Sequence, residues 1–237
     1  MFHTAAIWRW NSDLETGNFV PPDAEVPAKL AEARITPGSL CQFSYAIDTQ
    51  RDKSVWAAQK AFEDYVQGVD GFNRSHKPRR PWQDGNEAYS HVYVLSAQMF
   101  FKRTRYTSRK EASVSYTLHP WIEEVRSKTP YFPNPDRPRL FEPHGNVLRA
   151  LEESELPHLK TGDLVWISFY VEFIIGVNNW STTFTPCEVV RVGRVAADLV
   201  GDMTPTEDGE DEPRGMLKAG DKFSFGMCCF SVPHNLY

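Results

Sequence analysis

The sequence predicts a β-rich α+β fold, an antiparallel sandwich or partly open barrel with one or two covering helices. Three observations carry that prediction. Segments with apolar residues at every second position outnumber helix-like segments by about three to one. The strands are mostly amphipathic, which favours antiparallel pairing with one solvated face. Seventeen prolines and fourteen glycines leave a large share of the chain to loops.

The elements follow in order. Residues 12–25, with Gly17, Pro21 and Pro22, form a loop. Pro27 opens a short helix running to Arg34, because proline suits the first helical turn. Pro37-Gly38 turns the chain into a strand that ends near Ile47, with Cys41, Phe43, Tyr45 and Ile47 on one face. Asp52 or Ser54 then caps a helix. Its Val55, Ala58, Phe62, Tyr65 and Val66 recur at helical spacing, Lys60 pairs with Asp64, and Gly68 and Gly71 end it. Residues 68–89 are a long loop.

Two alternating runs, HVYVLSAQMFF from His91 and ASVSYTLH from Ala112, read as a hairpin with a long charged tip. Five prolines make 128–145 a long loop or an extended cover strand. Asn146 to Glu155 reads as a short helix. A long strand starts at Leu164, turns at Gly176-Val177-Asn178-Asn179 and returns from Trp180 to Val195. Pro186 within the return demands an edge or a bulge. Residues 202–215, DMTPTEDGEDEPRG, form an acidic loop with the composition of disorder. A last strand runs from Lys222 to Val232. The whole chain, 1–237, reads as one domain.

The run from Leu164 sets a specific question. Its odd positions, Val165 through Ile175, are all apolar, and its even positions are mixed. The odd face needs a core. The even face, with Trp166, Tyr170 and Ile174, is expected to lie under the Val55–Val66 helix or a partner chain.

GDLVWISFYVEF at 162–173, followed by EVVRVGRV at 188–195, resembles a segment of many uncharacterised predicted proteins of mushroom-forming fungi. The resemblance covers residues 162–195. It implies no activity, carries over no functional residues, and agrees with an intracellular eukaryotic protein.

The amino terminus MFHTAAIWRWNS lacks a basic start followed by an apolar run, so it is not a signal peptide. The longest apolar run is shorter than the roughly 20 residues of a spanning helix. The expectation is a soluble protein of the cytoplasm or nucleus with no membrane partner. Cys41, Cys187 and the vicinal Cys228-Cys229 contain no Cys-x-x-Cys pair, and in a reducing compartment they are free thiols. Dinucleotide-binding, phosphate-loop, zinc-protease and serine-hydrolase signatures are absent. No cofactor or metal is expected. The seven histidines lack zinc-ligand spacing, although His91 and His119 would face each other across the predicted hairpin. Glu172, inside an apolar strand, is the one acid suited to proton transfer if it is buried. The plainer reading pairs it with an arginine such as Arg191 on the returning strand.

Charge is the strongest functional signal. Between Asn73 and Arg139 stand thirteen Lys/Arg against six acids, a balance of +7 in a chain of −5. Aromatic residues interleave with them. Bases attract phosphates and exposed rings stack on unpaired bases. The sequence therefore predicts a non-enzymatic binding protein that takes single-stranded nucleic acid. The phosphate contacts would be Arg74, Lys77, Arg79, Arg80, Lys102, Arg103, Arg105, Arg109 and Lys110, and the stacking rings Trp82 and Tyr106. Reversing Arg79 and Arg80 to Glu is then expected to weaken binding. The plain alternative makes these bases solvated loop tips or a dock for the acidic 207–212 run. That alternative leads to a self-associating structural module, a homo-oligomer. A third reading is an enzyme whose site no motif reveals.

Overall fold

A computed structural model describes residues 1–26, 33–80 and 91–196. The helix expected from Pro27, the acidic 202–215 run, the vicinal cysteines and the last strand fall outside the described residues, wholly or in large part. Nine strands and three helices are described: β1 Phe2–Asn11, β2 Gln42–Asp48, α1 Ser54–Gln67, β3 Val92–Gln98, β4 Phe100–Lys102, α2 Ser108–Ala112, α3 Pro120–Lys128, β5 Tyr131–Pro133, β6 Arg139–His144, β7 Val147–Ala150, β8 Asp163–Ile175 and β9 Trp180–Arg194. The β-rich α+β class is as predicted.

The main sheet runs β3-β2-β1-β8-β9-β6-β7, and β4 pairs with β5 in a small second sheet. The sheet is mixed and open, not purely antiparallel. β6 runs parallel to β9 because the chain crosses from β7 back to the sheet centre before β8 begins. The sheet also coils. Tyr93 on β3 and Phe184 on β9 lie 5.5 Å apart between ring centroids, although three strands separate them in the sheet. Bulges between Trp8 and Trp10 on β1, and at two points of the β8–β9 ladder, sharpen this curl. Pro186 sits at one of them, opposite Phe169, where the missing N–H costs no ladder bond.

The concave face holds the core: Trp8, Tyr45, Leu95, Val165, Ile167 and Phe184 are all fully buried. Phe169 stacks on Phe184 with centroids 4.8 Å apart. α1 lids this face. Phe62 meets Phe184 at 6.0 Å and Phe2 at 4.7 Å, and Trp56 stands edge-on to Tyr93 at 4.6 Å. Each such pair adds about 1 kcal/mol beyond the area it buries. The Lys60–Asp64 pair forms at 2.8 Å, and Asp52 accepts the Ser54 N–H just ahead of the helix.

These contacts correct the expectation for β8. α1 covers the odd face, because its own apolar stripe needs the apolar side of the sheet. On the even face Tyr170, Glu172 and Ile174 are exposed, and Trp166 is half-covered by His3 at 5.9 Å.

Three further expectations are overturned. ASVSYTLH is not the partner of β3, which pairs with β2. Its first residue ends α2, and the rest is irregular up to His119, which caps α3 by accepting the Trp121 N–H. Tyr116 is drawn off by donating to Asn134 O at 2.6 Å. The helix expected at Asn146 is instead β7, followed by a single 3₁₀ turn at Leu151–Glu153. Gly145 takes φ +61° in a two-residue turn that pairs His144 with Val147. Glycine at that first turn position is what a type II′ hairpin needs. Finally, for 128–145 the loop reading gives way to its strand alternative, since β5 and β6 lie within it.

Residues 12–25 form an irregular loop bound to β2. Asn18 accepts the Gln42 N–H and Ser12 the Ser44 N–H, at 2.8 and 2.9 Å. Gly17 has φ +54°, and a Cβ there would lie 2.4 Å from Met99 Sδ and 2.6 Å from Gln42 O.

Candidate nucleic-acid interface

The predicted phosphate-binding residues divide into two groups on different elements. The first, Arg74 to Arg80, is strapped across the start of β9. Trp180 donates to Pro78 O at 3.0 Å, and Arg80 N donates back to Trp180 O at 2.7 Å. Phe72 wedges edge-on against Trp180 at 5.2 Å and Phe173 at 6.0 Å. Lys77 donates its ammonium to Gly176 O in the β8–β9 turn.

Arg79 reaches inward. It forks onto Glu63, a 3% exposed carboxylate on α1. Glu63 also accepts from Gln59 at 2.9 Å, and Gln59 accepts the Tyr93 hydroxyl at 2.6 Å. Burial first, and then the Glu63 carboxylate, push the Tyr93 phenol pKa upward, so Tyr93 stays a hydrogen-bond donor. Arg79 thus balances a buried charge. Arg74 and Arg80 are exposed, the Arg74 guanidinium lying over Gly71. Trp82 lies outside the described residues.

The second group spans Lys102 to Lys110. Arg103 is committed here to structure. Its guanidinium meets Glu111 at 2.8 Å and donates to Arg126 O at 2.6 Å and to Thr129 O. Those carbonyls close α3, so a cation serves the negative end of that helix. The hydrogen bond from Arg103 holds the Glu111 carboxyl below its ordinary pKa.

The remaining members of this group face solvent. Lys102, Arg105, Arg109 and Lys110 are exposed, and Tyr106 is 76% exposed. The Arg105 guanidinium sits 4.6 Å over the Tyr106 ring, and the Lys110 ammonium 5.1 Å over Phe101. A Thr104–Thr107 turn holds the tyrosine out: Thr104 N donates to Thr107 Oγ1 at 2.8 Å, and Tyr106 N to Thr104 Oγ1 at 3.2 Å. One ring and four cations thus stand on the end of β4, the braced turn that follows it and the short α2 behind.

The acid and histidine candidates fare differently. Glu172 is exposed and accepts from Thr185, so it lacks the burial that proton transfer would need. Arg191 does not pair with it and turns instead to Glu142, which also accepts from Arg149 at 2.9 Å. His91 and His119 do not face each other, because the predicted hairpin does not form. No group of three potential metal ligands occurs among the described residues. Cys41 and Cys187 are free thiols. No helix among the described residues is long and apolar enough to cross a membrane.

Two charged clusters were missed from sequence: Glu142 with Arg149 and Arg191, and Asp48 with Arg9 and Arg51. Asp48 alternates out of phase with Phe43, Tyr45 and Ile47 and so reads as solvent-facing, yet both faces of β2 are buried. No family model matches the chain, and no curated protein matches it.

Proposed function

We propose that the protein binds single-stranded nucleic acid without catalysing a reaction, through Lys102, Arg105, Tyr106, Arg109 and Lys110. The observation that carries this reading is Tyr106. A ring three-quarters exposed on a braced turn, with a guanidinium over it and three further cations within four residues on either side, suits stacking on an unpaired base beside phosphates. Arg74 and Arg80 stand in the other group, beside the start of β9, and are not counted in this surface. Arg79 and Arg103 act by holding the scaffold. The protein works inside the cell, in the cytoplasm or nucleus.

Fluorescence anisotropy with labelled single-stranded DNA, RNA and duplex tests this. Four phosphate contacts to a single strand give a salt slope of about −3, so a fourfold rise in salt weakens binding roughly 50-fold. Equal affinity for duplex, or no salt dependence, would refute the stacking model.

A second reading has its own observation. β8 runs past the end of its ladder with β1, and there Tyr170, Ile174 and Ile175 are exposed, with Val177 at the tip. A strand edge bearing apolar residues favours pairing between copies. Light scattering at two concentrations decides it: a constant monomer mass excludes self-association.

A further inference from the structure

Four hydroxyl residues stand between Lys102 and Ser113: Thr104, Thr107, Ser108 and Ser113 itself. Three of them are engaged in the local fold. Thr104 Oγ1 accepts the Tyr106 N–H at 3.2 Å. Thr107 Oγ1 accepts the Thr104 N–H at 2.8 Å and donates to Thr104 O at 3.0 Å. Ser113 donates to Lys110 O at 2.7 Å. Ser108 differs: it is exposed, and its hydroxyl makes no hydrogen bond within the described residues.

Cations frame Ser108 in the chain. Arg105 stands three positions before it and is exposed, and Arg109 and Lys110 follow it directly, also exposed. An arginine three positions before a serine is a recognition element for a protein kinase whose substrate cleft carries carboxylates, since a guanidinium and a carboxylate form a charge-assisted pair. Arg103, five positions before, is held by Glu111 at 2.8 Å, so recognition falls to Arg105. The segment is also built to open into such a cleft. α2 buries none of its residues and has no side-chain cap, and the Thr104–Thr107 turn bonds ahead of it are exposed, so unwinding both uncovers no core.

We propose that Ser108 is a phosphorylation site and that its modification turns off nucleic-acid binding. The inference rests on the Lys102–Lys110 interface and names its regulation. Ser108 Oγ attacks the γ-phosphorus of ATP held by a basophilic kinase. The new O–P bond forms as the bond to the β–γ bridging oxygen breaks, ADP leaves, and the hydroxyl proton passes to the kinase's catalytic carboxylate. The product places a charge of about −2 between Arg105 and Arg109 in the chain. Those cations and Lys110 then pair with the phosphoserine oxygens instead of with strand phosphates. Tyr106 keeps its ring but loses the positive field that draws a strand to it.

The test incubates the full chain with ATP and a calmodulin-dependent protein kinase, which reads Arg-x-x-Ser, and maps the product by mass spectrometry. A phosphate on Ser108 is expected, with Ser108→Ala unmodified at that position and equal to the wild type in single-strand affinity. Anisotropy then compares the two forms of the wild type. Neutralising two of four phosphate contacts brings the salt slope from about −3 to about −1.5 and weakens binding about tenfold or more at low salt. Ser108→Glu, with one added charge, lowers the slope by about 0.7 without a kinase. No phosphate on Ser108 overturns the proposal, and so does a phosphorylated chain with unchanged affinity and slope. An unmodified chain that binds no single strand refutes the interface and the switch with it; the mass spectrum of the same sample shows whether Ser108 was modified, so the two failures are distinct.

Discussion

Arg79 and Glu63 form an ion pair that locks the 73–80 loop to α1: Nη2 lies 2.9 Å from Oε1, Nε donates to Oε2, and the carboxylate side chain is 4% exposed. Its energetic weight comes from Glu63. Once buried, that carboxylate has no access to water if its guanidinium is removed.

Arg79→Ala is therefore expected to cost about 3 kcal/mol in urea unfolding, the usual penalty for an orphaned buried charge. Arg80→Glu, on the exposed neighbour, should stay within about 0.5 kcal/mol. A double reversal of Arg79 and Arg80 cannot report on binding, because its larger effect falls on the fold. Equal, small effects at both positions would show that Glu63 is solvated.

At the candidate interface, Tyr106→Ala is expected to lose about 1–3 kcal/mol of single-strand affinity, the worth of one stacked base, with little change in melting temperature. Lys102→Ala, Arg105→Ala and Arg109→Ala should each lower the salt slope by about 0.7. Arg103→Ala should behave in the opposite way, lowering stability because it closes α3 and leaving the slope nearly unchanged. Anisotropy and thermal melts on the same variants separate the two classes.

Glu142 supplies a pH test. Burial alone would raise its pKa, but hydrogen bonds from Ser154, Arg149 and Arg191 outweigh that and hold it at about 2, below the ordinary 4.5. A depressed carboxyl stabilises fully above its unfolded value and loses that contribution as pH falls through its folded value. The urea midpoint of the wild type should decline as pH drops from 4.5 toward 2, and Glu142→Gln should flatten part of that decline. Identical profiles would show that the Arg149–Glu142–Arg191 cluster contributes nothing to folding.

Gly17 is expected to tolerate no side chain. Its φ of +54° and the 2.6 Å approach of Gln42 O combine a backbone penalty with a steric one. Gly17→Ala should destabilise by roughly 3 kcal/mol in denaturant unfolding. A loss below about 1 kcal/mol would mean that the 12–25 loop shifts off β2 freely.

Local features were legible in the sequence. The spacing of Val55, Phe62 and Val66 reads directly as α1, since a helix repeats its buried face every 3.6 residues wherever it packs. Pro186 marks a bulge because it has no N–H to give. The odd positions of β8 point to the core as far as Phe169. Gly145-Asn146 carried a hairpin signal that competed with the apparent helical pattern after it. β1 had no comparable signal, because Ala5-Ala6 and its bulge blur the alternation.

Tertiary structure alone decided which charges remain for a partner. Summing charge over 73–139 treats thirteen bases as equivalent. The fold places Arg79 on Glu63, Lys77 on the Gly176 carbonyl ninety-nine positions away, and Arg103 on the end of α3. Such partners meet only when distant strands and helices pack, so no local pattern announces them.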